Sequence, residues 1–290
     1  MRGRIAAIVG LLALSAPALA RADDPARAGA ARLERAPVAY TSEGLRITGL
    51  LWKPEGPGPF PLVVVCHGGF EPASSVAGFG DAFAKRGCVA LAPDGRGVGG
   101  SEGRRELAKG EVADVLNAIR FARSLPYVDG KRVAVWGFSH GGMLGLLAAG
   151  RDRSIRGVVA LQAPADLAGC YAHWQRNRDR PGIAPLLGLP LLLGGDPKAA
   201  PAAWSERSPI TVASRIRCPV MLVYSDAEDA VPPDQGKRLL AALRKAGNRR
   251  ATLTMAPGAN HGLDRATWEK VLPEMLNWVD GVLQPGSTRR

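Results

Sequence analysis

The chain has 290 residues, 46% of them hydrophobic, and a formal net charge of +12. That length supports a single large domain with its own buried core. The basic residues are spread along the chain with no aromatic-interleaved stripe, which excludes nucleic-acid binding as the reading of the charge and leaves dispersed surface charge. From the amino end, Arg2 and Arg4 precede the apolar run Ile5 to Leu14 and an A-x-A site at Ala18-Leu19-Ala20 or Ala20-Arg21-Ala22. Residues 1–22 therefore read as a secretory signal, too short and too broken by Pro17 to span a bilayer of roughly 20 residues. Export to the periplasm or beyond is the expectation, with no stable membrane insertion, followed by a flexible lead-in over 23–36 and one domain over 37–290.

Val38-Ala39-Tyr40 and Leu45 to Leu50 alternate well enough for an antiparallel edge hairpin. Short apolar runs then recur at Leu62–Cys66, Cys88–Ala92, Arg132–Trp136, Val158–Leu161 and Val220–Tyr224, with a weaker one at Thr252–Met255. Each suits a strand buried on both faces. Between and after them, Val112, Val115, Leu116, Ile119 and Ala122, and later Trp268, Val271, Leu272, Met275, Trp278 and Val279, recur at helical spacing. Such alternation predicts an α/β fold with a mostly parallel central sheet flanked by helices. Residues 167–217 break the rhythm: too long for an ordinary connection, they read as a lid or cap insertion before the fifth run, the one followed by the candidate acids. Its Tyr171, Trp174 and Leu186 to Leu193 are candidates for a partly apolar substrate pocket, and His173 belongs to it. Cys66, Cys88, Cys170 and Cys218 are read as small buried hydrophobes; an exported chain would permit disulfides, and spacing cannot choose a pairing.

The chemistry centres on Gly137-Phe138-Ser139-His140-Gly141-Gly142, which follows a strand and opens a small-residue helix near Met143. This is the setting of a nucleophile elbow, where glycines let strand and helix pass close to a sharply turned serine. A serine hydroxyl needs a base to take its proton and an acid to orient that base. His261, on a loop after the last strand pattern, is the candidate base; Asp226, Glu228 and Asp229, after the strand ending at Tyr224, all compete for the acid, and spacing leaves them open. Two N–H groups for an oxyanion are expected from His140 and from Gly69 or Phe70, in the glycine-rich loop after the first central strand. His67 is assigned to support of that loop. No histidine has metal-ligand spacing, and no cofactor is implied.

HGGF at 67–70, DGRGVGGSEG at 94–103, PYVDGKRVAVWGFSHGG at 126–142, RCPVMLVYSDAEDAVPP at 217–233 and GANHG at 258–262 resemble the successive motifs of the α/β-hydrolase superfamily, most closely its prolyl oligopeptidase and dienelactone hydrolase branches. The resemblance runs from about Val38 to Leu283. It implies Glu228 as the acid, three residues before Val231-Pro232, with glutamate where aspartate is usual and Ser225 where glycine is common. Dienelactone hydrolases usually use cysteine where this chain has Ser139, and prolyl oligopeptidases carry a propeller for which this chain has no room. The expectation is an exported serine hydrolase acting on small carboxylic esters. The alternatives are a short-peptide peptidase, a carbohydrate esterase and, from another class, a non-catalytic binding module on the same fold. Oligomeric state is not readable.

Overall fold

The computed structural model describes residues 33–258 and 260–286. The expected signal at 1–22 and most of the lead-in lie outside them. In chain order the elements are β1 (Glu34–Ser42), β2 (Leu45–Lys53), β3 (Phe60–Cys66), α1 (Ala77–Lys85), β4 (Val89–Pro93), α2 (Gly110–Arg123), β5 (Val128–Phe138), α3 (His140–Ala149), β6 (Ile155–Leu161), α4 (Leu167–Arg176), α5 (Leu189–Leu193), α6 (Pro201–Ser205), β7 (Val220–Ser225), α7 (Asp234–Lys245), β8 (Ala251–Ala256) and α8 (Arg265–Leu283). The strands form one eight-stranded sheet in the order β1-β2-β4-β3-β5-β6-β7-β8. β1 and β2 run antiparallel at one edge, and every pairing from β4 to β8 is parallel. This is the α/β-hydrolase architecture expected from the sequence.

The central strands alternate by side chain. Leu62, Val64 and Cys66 of β3 face one apolar layer, while Val63 and Val65 face the other. The first layer is closed by α2 and α3 through Val112, Val115, Ile119, Met143 and Leu146, and by α7 through Leu239 and Leu243. The second is closed by α1 and α8 through Phe79, Phe83, Trp268, Met275 and Val279. A branched residue fully buried in this way contributes about 1.5–3 kcal/mol, so β-branched runs on both sides of the pleat hold the sheet centre rigid. The carboxyl ends of β3, β5, β6 and β7 therefore form a fixed rim.

The elements differ from expectation in places. β1 starts at Glu34, so residues 34–36 join the sheet rather than the lead-in: Glu34 and Lys53 are ladder partners, and edge pairing by main-chain bonds needs no apolar pattern. β5 begins at Val128, four residues before its apolar run, and α3 begins at His140, immediately after the serine. Residues 167–217, expected as a lid or cap insertion, hold α4, α5, α6 and two 3-10 turns, Ala184–Gly188 and Pro209–Arg215. Proline starts α6 and falls early in α5, as it does where a helix's first N–H groups need no partner. Among the described residues no helix is long and apolar enough to cross a membrane.

Candidate active site

β5 ends between β3 and β6 and delivers the chain into a tight turn at Ser139, with φ 53° and ψ −116°. A non-glycine residue in this region costs on the order of 1–3 kcal/mol, and the surrounding structure enforces it. The Ser139 N–H donates to Leu161 O at 2.7 Å, and Ser139 O accepts from Met143 N at 3.1 Å. Strand and helix pass so closely that a Cβ on Gly137 would lie 2.3 Å from the Gly141 carbonyl, and one on Gly141 would lie 2.2 Å from Cys66 O. Glycine is required at both by steric contact, which explains the motif's spacing.

His261 sits on the loop joining β8 to α8, and its Nε2 lies 3.1 Å from Ser139 Oγ. Its Nδ1 lies 2.5 Å from Glu228 Oε2. The Glu228 side chain is wholly buried after β7, and its Oε1 accepts from the Val231 N–H. The Phe138 ring packs against the imidazole with centroids 5.0 Å apart. The other two carboxylates are engaged elsewhere. Asp226 Oδ1 accepts from Gly258 N at 2.6 Å, and Asp229 pairs with Arg180 Nη1 at 2.5 Å. Of the three carboxylates, only Glu228 reaches the histidine.

Ser139 and His261 open into a pocket also lined by Gly69, Phe70, Leu107, His140, Met143, Leu186, Leu189 and Val231. None of its lining residues is Asp, Glu, Lys or Arg. The N–H groups of Gly69, Phe70 and His140 enter no turn or loop hydrogen bond among the described residues. That of His140 begins α3 and so has no helical acceptor. His140 Nδ1 lies 2.9 Å from Gly69 O, which ties the helix start to the loop after β3. Burial, and secondarily His67, pushes the His140 imidazole down to about 4, so the ring is neutral at ordinary pH. His67 bridges its own loop to the next one, with Nε2 2.9 Å from Asp94 O. Beneath these loops Arg96 meets Asp114 through two bonds, Nε to Oδ2 at 3.0 Å and Nη2 to Oδ1 at 2.9 Å.

Of the two aromatic residues singled out in the insertion, Trp174 lines the pocket and its Nε1 donates to Ala230 O at 2.8 Å. Tyr171 is not among the lining residues; its ring packs against Trp204 at 5.0 Å and, three residues along the same helix, against Trp174 at 6.5 Å. Tyr171 is thus corrected from substrate contact to support of Trp174. His173 bonds with Asn177 and likewise stands outside the lining. The apolar run expected to shape the pocket contributes Leu186 and Leu189. Sequence reasoning overlooked Leu107, Met143 and Val231 as lining residues. Val231 could have been found from its place in the Val-Pro pair; the others carry no motif. All four cysteines are buried and free, with Cys66 and Cys218 thiols pushed up to about 12 by burial. Among the described residues no group of three or more His, Cys, Asp or Glu could hold a metal ion.

A model of the prolyl oligopeptidase family matches residues 80–286. The uncharacterized peptidase YtmA of Bacillus subtilis (strain 168) is 30% identical over 199 residues, 67% of this chain and 73% of that one. Among solved structures, a puromycin-hydrolyzing peptidase of Mycobacterium tuberculosis superposes with a TM-score of 0.72 at 24% identity, covering 85% of this chain. This chain spans 39% of that one. A Klebsiella pneumoniae chain provisionally described as a dienelactone hydrolase superposes with a TM-score of 0.66 at 18% identity, over 86% of this chain and 99% of its own.

Proposed function

Given that this chain belongs to the prolyl oligopeptidase family and is a serine hydrolase of the α/β-hydrolase fold, we propose that it cleaves carboxylic esters with an uncharged, apolar acyl group. The observation that carries the proposal is the hydrogen-bonded series from Glu228 through His261 to Ser139, at the mouth of a pocket with no charged wall. Ser139 Oγ attacks the acyl carbonyl as His261 Nε2 takes its proton. Glu228, buried and holding Nδ1–H, keeps the imidazole in the tautomer that accepts at Nε2 and stabilises the imidazolium that forms. The tetrahedral oxyanion receives hydrogen bonds from the N–H of His140 and of Gly69 or Phe70, each worth roughly 3 kcal/mol where measured in comparable sites. His261 then gives its proton to the leaving alcohol, and the ester bond breaks to leave an acyl-enzyme. Water, deprotonated by His261, releases the acid and restores Ser139. No metal or redox cofactor enters any step.

A second reading, hydrolysis of short peptides, is favoured by the family and by the peptidase names of the relatives. The uncharged pocket weighs against it for peptides gripped by a terminal ammonium or carboxylate, since an unpaired charge there would be poorly solvated. The deciding experiment treats the purified protein and its Ser139→Ala variant with a fluorophosphonate. Hydrolysis of p-nitrophenyl acyl esters is then compared with that of aminoacyl p-nitroanilides. Labelling confined to Ser139, with the esters preferred, is the expected result. Preference for the anilides would replace the ester by the peptide reading, and absence of label on folded protein would leave the binding module. Export is part of the proposal, on the pattern of the first 22 residues, and is checked by fractionation and amino-terminal sequencing of the mature chain.

A further inference from the structure

Gln162, the residue immediately after β6, is fully buried yet carries a polar side chain and a left-handed backbone, φ 47°. Its own N–H donates to Val223 O at 2.7 Å. Both ends of its side-chain amide are used. Nε2 donates to Asn260 O at 3.0 Å, and Oε1 accepts from Gly262 N at 2.9 Å. These acceptor and donor groups belong to the two residues on either side of His261. One side chain thus grips the main chain before and after the imidazole, as a neighbouring strand would.

From this geometry we infer that Gln162 is a positioning residue: it holds the His261 loop in the one orientation that aims Nε2 at Ser139 Oγ while Nδ1 faces Glu228. The inference rests on the proposed roles of Ser139, His261 and Glu228. Three physical arguments support it. First, a left-handed backbone favours glycine or asparagine, so if only the main-chain turn mattered, glutamine would be the costlier choice. Second, an amide buried without partners would cost about 1–3 kcal/mol, and here both its donor and its acceptor are satisfied by the same loop. Third, the loop is exposed at Gly258 and Asn260, and the ladder of β8 ends at Ala256, so side-chain bonds must set its path. Its other tethers are Asp226 Oδ1, which accepts from Gly258 N at 2.6 Å on the amino side, Leu263 N, which donates to Asn260 O at 3.0 Å, and Trp268 Nε1, which donates to Gly262 O at 2.6 Å on the carboxyl side. Among the described residues Gln162 is the one side chain that bonds both residues flanking His261, and the serine's own N–H is anchored on Leu161, the preceding residue. The end of β6 therefore fixes the serine and the histidine relative to each other.

Two variants test this. Gln162→Asn suits the left-handed backbone and should fold at least as well, but it is one methylene too short to reach both flanking residues. Gln162→Leu keeps the volume and removes both bonds. Each is expected to lower kcat on an aryl ester by about 10–100-fold with KM within threefold, because a misplacement of about 1 Å at reacting groups can cost that much while the pocket walls stay intact. Fluorophosphonate labelling should slow in parallel. The low-field NMR resonance of the His261 Nδ1 proton should broaden or vanish in both variants, a signature that a general loss of stability without loop release would not produce. Retention of kcat within twofold in Gln162→Asn, together with an unchanged His261 resonance, would overturn the inference while leaving the hydrolase reading intact. A wild-type protein that takes no label at Ser139 would overturn both.

Discussion

The rim of the sheet and the inserted stretch 167–217 flank the same pocket but are built on different physics. The rim takes Ser139, Glu228 and the loop of Gly69 and Phe70 from strand ends whose residues are buried on both faces, so each position follows from the pleat and the parallel register. The insertion is short helices and 3-10 turns, joined to the body through bonds such as Trp174 Nε1 to Ala230 O, Ile210 N to Ala165 O at 3.0 Å and Arg207 Nε to Glu106 O at 3.2 Å. One region has geometry to spare for chemistry, and the other supplies apolar surface that can change without unfolding the sheet. Under the proposed function, chemistry is thereby separated from selectivity.

Substitutions at the rim should strike kcat hardest. Ser139→Ala or His261→Ala is expected to lower kcat by on the order of 10⁶-fold with melting temperature little changed, measured by single-turnover acylation. Glu228→Gln, which leaves the packing but mis-sets the imidazole tautomer, should cost on the order of 10⁴-fold, whereas Asp226→Asn and Asp229→Asn should stay within threefold. If either of those two outranks Glu228, the assignment of the acid is wrong. Below the rim, Asp114→Ala removes one of the three carboxylates that meet Arg96 and leaves Glu43 and Glu106, and chemical denaturation should show a loss of about 1–3 kcal/mol. In the insertion, Trp174→Ala should change selectivity between short and long acyl esters by roughly tenfold with kcat on the best substrate nearly preserved. A drop in kcat as large as that of Glu228→Gln would erase the distinction between the two regions.

A further expected effect, on stability rather than on rate, is pH dependence. His140 is held at about 4 by burial, below the ordinary histidine value of about 6.5, so within that window the unfolded chain binds the extra proton. Stability should therefore fall as pH drops through the window, by at most about 1.4 kcal/mol per unit, and His140→Gln should flatten that slope in melting curves. A slope that survives the substitution would assign it to other groups.

Much of the rim was legible because its rules are local. Gly137, Ser139 and Gly141 announce the elbow through steric needs within five residues, and His261 stands out as a loop histidine after the last strand. Tyr171 shows the limit of that reading. An aromatic residue in an insertion suggests a pocket, but its helix turns it toward Trp204 instead. Leu107 carries no motif at all and reaches the pocket from a segment after β4.

By itself, then, the sequence determined the alternation of strands and helices, the nucleophile turn and the candidate base, since each depends on side-chain period or on close contact between neighbours along the chain. Spacing left Asp226, Glu228 and Asp229 open and only resemblance pointed to Glu228; the tertiary structure brings Glu228 to His261, and it alone shows that Gln162 grips residues 98 and 100 positions away. Those are distances across parallel strands and loops, set by register and by the path of the chain between them. No spacing along the chain encodes them until the sheet has formed.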